Sequence, residues 1–295
     1  MLIWSVLHPI AWMAFVAGAT ADSIPANVAG LAGAETALVA AAAQRGMRDA
    51  LDSRMSPLAI LFQPYPTQGP AWIKEHTVPD ARWAPEFAEV SGVGDLGYTV
   101  GSWHTTGADS LPLLAGSYLS FWRYHERTDW KVMLHITGGT PVQLPPAPAA
   151  GNQLQFVAGL LPIMASHDTV SARRNALGGA DEALTTSAAK NGWRDAFAAV
   201  TATDVRCYRP GEPPAVGQAA VLERLANGAG AVEWDLVGSW LAQSVDLGYT
   251  YGKCRRGTGT AAEPKTEWAY VHVWRMDRKG SRKLALEFLA PIVRP

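Results

Sequence analysis

The chain is poor in cysteine, has no excess of charge of either sign and carries no cluster of metal-ligating side chains. Only two of its 295 residues are cysteine, Cys207 and Cys254, too few for a disulfide scaffold, and no His or Cys spacing resembles a zinc site. A Cys207–Cys254 bridge and two buried thiols both stay open, because sequence does not fix the separation of the two Cα atoms. Formal net charge is −1, with 25 Lys and Arg against 26 Asp and Glu, so the basic footprint of a nucleic-acid-binding protein is missing. There is no P-loop, dinucleotide fingerprint, nucleophile elbow or HExxH, and the seven histidines are scattered. No cofactor and no metal is expected.

What the chain does have is repetition. "GDLGYTVGSW" (94–103) returns as "VDLGYTYGKC" (245–254), placing Asp95 and Asp246 at 246 − 95 = 151 residues apart. The upstream tryptophans Trp83 and Trp234 are 234 − 83 = 151 apart, and Trp122 and Trp274 are 274 − 122 = 152 apart. "GMRDAL" (46–51) matches "GWRDAF" (192–197) at 192 − 46 = 146. Solenoid repeats recur every ~20 to 50 residues, so anchors at this spacing indicate two whole globular units.

Residues 1–21, "MLIWSVLHPIAWMAFVAGATA", have no acidic or basic side chain and end in Ala19, Thr20 and Ala21, the small-x-small pattern of a signal-peptide cleavage site. The pattern predicts a periplasmic or secreted protein without stable membrane insertion once the segment is removed. The positive charge usual near the start of such a segment is absent, so two other readings stay open. One is an uncleaved N-terminal anchor, since about 20 apolar residues can span a bilayer. The other is a helix packed on the body of the protein.

Each unit begins with an alanine-rich helical pattern, residues 34–51 and 181–199, built from good helix formers with apolar residues at three- and four-residue spacing. Short runs of aromatic and β-branched residues follow, separated by Gly, Asp and Lys turns, which read as an antiparallel sheet. Helices first and strands afterwards define an α+β unit. In "DLGYTVGSW", Leu96, Tyr98 and Val100 share one face and Gly97, Thr99 and Gly101 the other. Glycines repeated on one face imply a sharply curved sheet or a close packing partner. The predicted organisation is an N-terminal apolar segment (1–21), a first domain (33–140), a Pro/Ala-rich linker and connecting segment (141–180) and a second domain (181–293).

The order helix, turn, helix, curved sheet, with a tryptophan ahead of "GDLGYT", a "WR" strand and a closing "WKV" strand, resembles the nuclear-transport-factor-2-like superfamily. Within it the likeness is to SnoaL-like and ketosteroid-isomerase-like proteins, many of them domains of unknown function, over residues 35–140 and 181–292. The resemblance implies two tandem cone-shaped α+β barrels, each with a pocket at its open end. Sheets in this superfamily commonly dimerise, so it also implies an internal pseudo-dimer of the two repeats. It implies no particular reaction.

Candidate site residues follow from the repeat. His135 and Glu287 occupy the same slot of the last strand, 287 − 135 = 152, and either could accept a proton if it faces an apolar pocket. Trp83, Trp122 and Tyr98 in the first unit, with Trp234, Trp274 and Tyr249 in the second, are the aromatic candidates for lining a cavity. Asp95 and Asp246 begin strands and read as turn residues bonding their own backbone. Three functions stay open: binding of a small apolar organic molecule, proton-transfer or hydratase chemistry on such a molecule with His135 or Glu287 as base, and a non-catalytic scaffold.

Overall fold

The computed structural model describes residues 26–106, 112–125, 129–140, 154–159, 164–226, 232–256 and 266–292. The segment 1–21 read as a signal peptide lies outside the described residues. The first unit runs α1 (Ala26–Arg45), α2 (Met47–Arg54), β1 (Met55–Phe62), β2 (Pro66–Gln68), α3 (Gly69–Glu75), β3 (Arg82–Val90), β4 (Leu96–Thr106), β5 (Pro112–His125) and β6 (Asp129–Thr140). A strand in the connecting segment, β7 (Gln155–Ala158), follows. The second unit repeats the plan with α4 (His167–Asn191), α5 (Trp193–Val200), β8 (Thr201–Tyr208), β9 (Ala215–Val216), α6 (Gln218–Ala226), β10 (Val232–Leu241), β11 (Leu247–Arg256), β12 (Thr266–Met276) and β13 (Arg282–Pro291). No described helix is long and apolar enough to cross a membrane.

The helical pattern of each unit is split at a glycine. Gly46 and Gly192 take φ of 84° and 82°, in the left-handed region that disfavours a Cβ, and the chain turns there from the long helix into the short one. The helices also start ahead of the predicted 34 and 181. α4 begins at His167, so the second unit takes in part of the segment assigned to the linker. The sheets are mixed where an antiparallel sheet was expected. β3 to β6 form a meander whose last strand lies parallel to β1, and β13 lies parallel to β8 in the same way. Strand order is β3-β4-β5-β6-β1-β2 in one sheet and β10-β11-β12-β13-β8-β9 in the other, with β7 added beyond β3.

Each sheet buries both faces. Under the helices the first unit packs Leu31 and Leu38 of α1 against Trp83, Tyr118, Trp122 and Val132. The second packs Leu177 and Leu184 of α4 against Trp274 and Leu284. Gly97 explains the glycine face of β4, because a Cβ there would meet Leu31 Cδ2 at 2.7 Å and Glu89 O at 2.9 Å. The opposite faces of the two sheets share one apolar core. Tyr98, Val100, Phe121, Leu134 and Ile136 of the first unit join Tyr249, Val271, Val273, Leu286 and Phe288 of the second. Sheet-on-sheet burial of this kind needs alternating apolar residues on both faces, and the β4 and β11 strands supply them.

The repeated "DLGYT" run closes this interface. Asp95 accepts from Ser91 Oγ at 2.8 Å with one oxygen, and with the other from the backbone N–H of Gln243 in the second unit at 2.9 Å. Asp246 accepts from Ser244 Oγ, and from the N–H of Gly92 in the first unit at 2.9 Å. Each aspartate therefore does hold its own turn, as expected, and also caps its counterpart's turn across the interface. Two further pairs flank them. Arg275 lies 3.3 Å from buried Glu89, and at the counterpart position Arg123 stacks over Trp240 with its guanidinium 5.2 Å from the ring centre.

Removing either carboxylate strands a part-buried backbone N–H of the other unit, so Asp95→Ala and Asp246→Ala are each expected to cost ~1 kcal/mol. Urea unfolding at neutral pH measures this. A midpoint unmoved by either substitution would remove the cross-capping role.

Candidate functional site

Inside the first cone, α1 turns Leu31, Glu35 and Leu38 toward the sheet at four- and three-residue steps, one face of a helix. Glu35 is fully buried. Its Oε2 accepts from Thr99 Oγ1 at 2.7 Å, and Thr99 Oγ1 accepts from Trp122 Nε1 at 3.2 Å. Its carboxyl also feels the Tyr118 hydroxyl beside it as a weak donor, but neither that hydroxyl nor the second Glu35 oxygen has a well-formed hydrogen bond, and the indole N–H of Trp83 has none. Burial pushes the Glu35 carboxyl up to about 7, the Thr99 bond chief among the contacts that hold it back. His135 lies in the same cone, its ring centre 5.4 Å from Trp83, with Nδ1 2.9 Å from Ser120 Oγ. Burial pushes His135 down to about 4, leaving it neutral.

The second cone holds a different constellation at matching positions. Asp181 stands where Glu35 does (181 − 35 = 146), and His272 where Ser120 does (272 − 120 = 152). Asp181 accepts from Tyr270 at 3.0 Å and lies 2.8 Å from His272 Nδ1. The other nitrogen of His272 is 3.5 Å from Glu287 Oε2, and Glu287 Oε1 takes a bidentate bond from Arg209 at 2.9 and 2.6 Å. Two acidic and two basic side chains alternate in one buried chain. Burial opposes the charge on His272, but Asp181 and Glu287 outweigh it and hold the ring up at about 9. Burial likewise opposes ionisation of Glu287, and Arg209 with His272 holds it down at about 2.

His135 and Glu287 therefore do share one slot of the two cones, but with opposite electrostatics. Glu287 is committed to Arg209 and His272, so its lone pairs are a poor reservoir for an incoming proton. Trp83, Trp122, Trp234 and Trp274 all face the cones: Trp234 sits 4.5 Å from the His272 ring, and Trp274 Nε1 donates to Thr250 Oγ1 at 3.2 Å. Tyr98 and Tyr249 do not. Both lie in the layer between the sheets, where Tyr98 donates to Glu89 Oε2 at 2.8 Å and the Tyr249 ring centre is 4.0 Å from Phe121. Tyr98 and Tyr249 alternate with Thr99 and Thr250 as the sequence implies, but with both faces of the sheet buried an inward aromatic need not face the pocket. Cys207 and Cys254 are free and buried, with burial pushing both thiols up, so no bridge links them.

Reading the sequence singled out neither Glu35 nor Asp181, the acidic groups at the heart of the two cones. The signal was available in the 146-residue offset of the "GMRDAL" and "GWRDAF" anchors, which also aligns Glu35 with Asp181. Tyr118 and Tyr270 align by the downstream offset, 270 − 118 = 152. A carboxyl raised from 4.5 to about 7 by folding binds its proton more tightly in the folded state. Its contribution to stability is therefore full below pH 4.5 and lost as pH rises toward 7. The stability difference between wild type and Glu35→Gln is expected to change across this window by on the order of 3 kcal/mol, read from urea unfolding at a series of pH values. A difference that stays constant with pH would mean that Glu35 does not titrate there.

No protein-family model matches the chain, and no curated protein matches it. Solved structures do. A ketosteroid isomerase-like protein from Erwinia carotovora atroseptica is 21% identical, with 41% of this chain and 98% of that one covered and a TM-score of 0.35. An NTF2-like protein of unknown function from Pseudomonas putida is 14% identical over 43% of this chain and 89% of its own, also at 0.35. The CaMKII hub of S. rosetta is 17% identical over 44% of this chain and 99% of its own, at 0.34. Each of these matches covers about two fifths of this chain and most of the matched one; the two tandem α+β units rest on the repeated element order of the chain itself.

Proposed function

We propose that the chain is a fused pseudo-dimer in which the first cone binds a small, largely apolar organic molecule and the second cone is its structural partner. The observation that carries this is the contrast in charge pairing: Glu35 has no charged partner, whereas the acidic groups of the second cone do. In the first cone one Glu35 oxygen and the Tyr118 hydroxyl are buried with only a weak contact to each other and no well-formed hydrogen bond. An unsatisfied buried polar group costs ~1–3 kcal/mol, so a ligand supplying the partners would recover that energy. At the matching positions of the second cone, Asp181, His272, Glu287 and Arg209 form a chain of opposite charges; His272 Nε2 and Glu287 Oε2 make no hydrogen bond but lie 3.5 Å apart as an ion pair, so every charge there already has a counter-charge. Trp83, Trp122 and Leu31 make the first cone apolar apart from these groups. The ligand chemistry that fits is a neutral ring or chain bearing one oxygen able to pair with Tyr118 and Glu35.

A second reading follows from the Glu35 carboxyl. A group held near neutrality in an apolar enclosure suits proton transfer, and Glu35 replaces His135 and Glu287 as the candidate base. His135 is neutral throughout the range where Glu35 titrates, so it would serve as a hydrogen-bonding group.

Native mass spectrometry of the protein from its source cells, followed by denaturing release, tests the binding reading. The expected result is one molecule per chain, lost in Tyr118→Phe/Glu35→Gln and kept in Cys254→Ser of the second cone. Two molecules per chain, or retention in the first-cone double variant, would overturn the assignment. Turnover of the released compound with a rate that falls as pH drops below about 7 would add the proton-transfer role.

A further inference from the structure

Two matching arginines flank the contact between the units, and only one of them is charge-balanced. Arg275 of β12 has Nε 3.3 Å from buried Glu89 of the first unit and Nη2 2.7 Å from Asp204 of β8. Its counterpart in β5 is Arg123 (275 − 123 = 152). There Trp240 takes the position of Glu89 (240 − 89 = 151) and Leu58 that of Asp204 (204 − 58 = 146). Strand register supports both matches. Glu89 lies opposite Tyr98 as Trp240 lies opposite Tyr249, and two residues beyond Leu58 and Asp204, Ile60 pairs with Leu134 as Arg206 pairs with Leu286. Both carboxylates are thus replaced by apolar side chains, and a second cation is added. The guanidinium of Arg123 lies 5.2 Å from the Trp240 ring centre and that of Arg174, from α4, lies 5.9 Å from it. Among the described residues no carboxylate forms an ion pair with either arginine.

Contact with an indole face leaves the in-plane N–H donors of a guanidinium free for an oxygen acceptor. The protein shows this elsewhere: Arg206 stacks 4.0 Å from the Phe87 ring centre and its Nη2 donates to Gln155 Oε1 at 2.7 Å. Arg123 and Arg174 instead bring two positive charges, one from each unit, to a single ring. Trp240 and both arginines are half-buried, so the place is open to solvent and only partly screened by it. The surroundings are apolar. Leu58 is 65% exposed, and the indole itself offers a flat surface. Trp240 faces the layer between the sheets, whereas its neighbour Leu241 turns under α4, so this place is separate from both cones.

We infer that Arg123, Arg174 and Trp240 form a binding site for a small organic acid, a carboxylate carried on an aromatic or aliphatic body. The carboxylate accepts from Arg123 as Asp204 accepts from Arg275 at the matching place. Arg174 supplies the second positive charge, and the body of the acid lies on Trp240 and Leu58. A planar carboxylate matches the guanidinium fork, and the apolar surface beside it favours an acid with a hydrocarbon body over an inorganic anion. Duplication followed by loss of two acidic side chains on one side is what leaves the site vacant for an acid from outside the chain.

The indole N–H signals of the ¹⁵N-labelled full chain, titrated with phenylacetate, test this. The signal that disappears in Trp240→Phe is expected to shift saturably, with an affinity that falls as salt is raised. The neutral amide, phenylacetamide, is expected to leave it in place. Arg123→Gln and Arg174→Gln are each expected to weaken binding about tenfold or more. The decisive variant is Leu58→Asp, at an exposed position where folding is not at stake. It places a carboxylate within the chain where Asp204 stands beside Arg275, and is expected to abolish binding, while Leu58→Asn keeps it. No saturable shift of the Trp240 signal, an equal shift with phenylacetamide or inorganic phosphate, or binding that survives Leu58→Asp would each overturn the proposal. Shifts confined to the Trp83 and Trp122 signals would place the acid in the first cone and overturn it as well.

Discussion

Everything in this molecule depends on the two sheets covering each other's helix-free faces. A curved sheet with helices on one side leaves an apolar face on the other, and here that face carries Tyr98, Phe121 and Ile136 against Tyr249, Val271 and Phe288. Apolar contact alone is non-directional and would permit the sheets to slide. Direction comes from the aspartates. Each holds its own tight turn with one oxygen and reaches the backbone of the other unit's turn with the other. A backbone N–H has a fixed place in its turn, so the two crossed bonds set the relative position of the turns. The helices cover the far sides of the sheets, and the floors of the cones are the same strands whose other faces make the contact. A change at the interface is therefore felt at the floor of a cone one residue away along the strand, as between Tyr98 and Thr99.

The interiors have diverged much further than the shared face. Both cones keep a carboxylate on the long helix, a tyrosine and tryptophan on the sheet and a threonine that accepts from an indole N–H. They differ at two sheet positions and at the end of the first strand, where the second unit has His272, Glu287 and Arg209 and the first has Ser120, His135 and Gln63. Those three differences decide the electrostatics. With Arg209 and His272 present, a buried carboxylate stays ionised because opposite charges within hydrogen-bond distance outweigh desolvation. Without them, Glu35 has only neutral partners, and desolvation prevails. Breaking the second network by removing one member would leave an uncompensated buried charge, typically costing ~3–5 kcal/mol. That argues for a load-sharing role within the fold, and leaves the first cone as the one whose buried carboxyl has no charged partner.

Much of this was legible in the chain. The duplication, the α+β order and the turn role of Asp95 and Asp246 follow from spacing and residue type, because they are local properties repeated twice. Which face of a strand meets which partner is not local. Tyr98 and Tyr249 lie on the face opposite Thr99 and Thr250, as alternation requires, but sequence does not say which face carries the helices when both faces are apolar. The mixed sheet was missed for a related reason: parallel pairing of β1 with β6 joins strands far apart in the chain and leaves no turn signature. Glu35 was overlooked because a single acidic residue in an alanine-rich helix looks solvated until the opposing sheet is in place.

Covalent linkage explains how such asymmetry can coexist with a two-fold interface. In a symmetric pair of identical chains every contact occurs twice, and any substitution alters both copies together. Here the Arg275 contact to Glu89 and the Arg123 contact to Trp240 occupy equivalent places yet use different physics, an ion pair on one side and a cation over an indole face on the other. The ion pair buries a carboxylate, and burial pushes Glu89 up while Arg275 works against it. The indole needs no counter-charge and gains ~0.5–2 kcal/mol from the guanidinium above it. Two arginines are thus held at matching points by unlike partners, which identical chains could not arrange. The same freedom let one cone acquire a closed charge network while the other kept a single carboxyl near neutrality. The repeated aspartates are the part that could not drift, because each crossed bond has its other end in the opposite unit's turn.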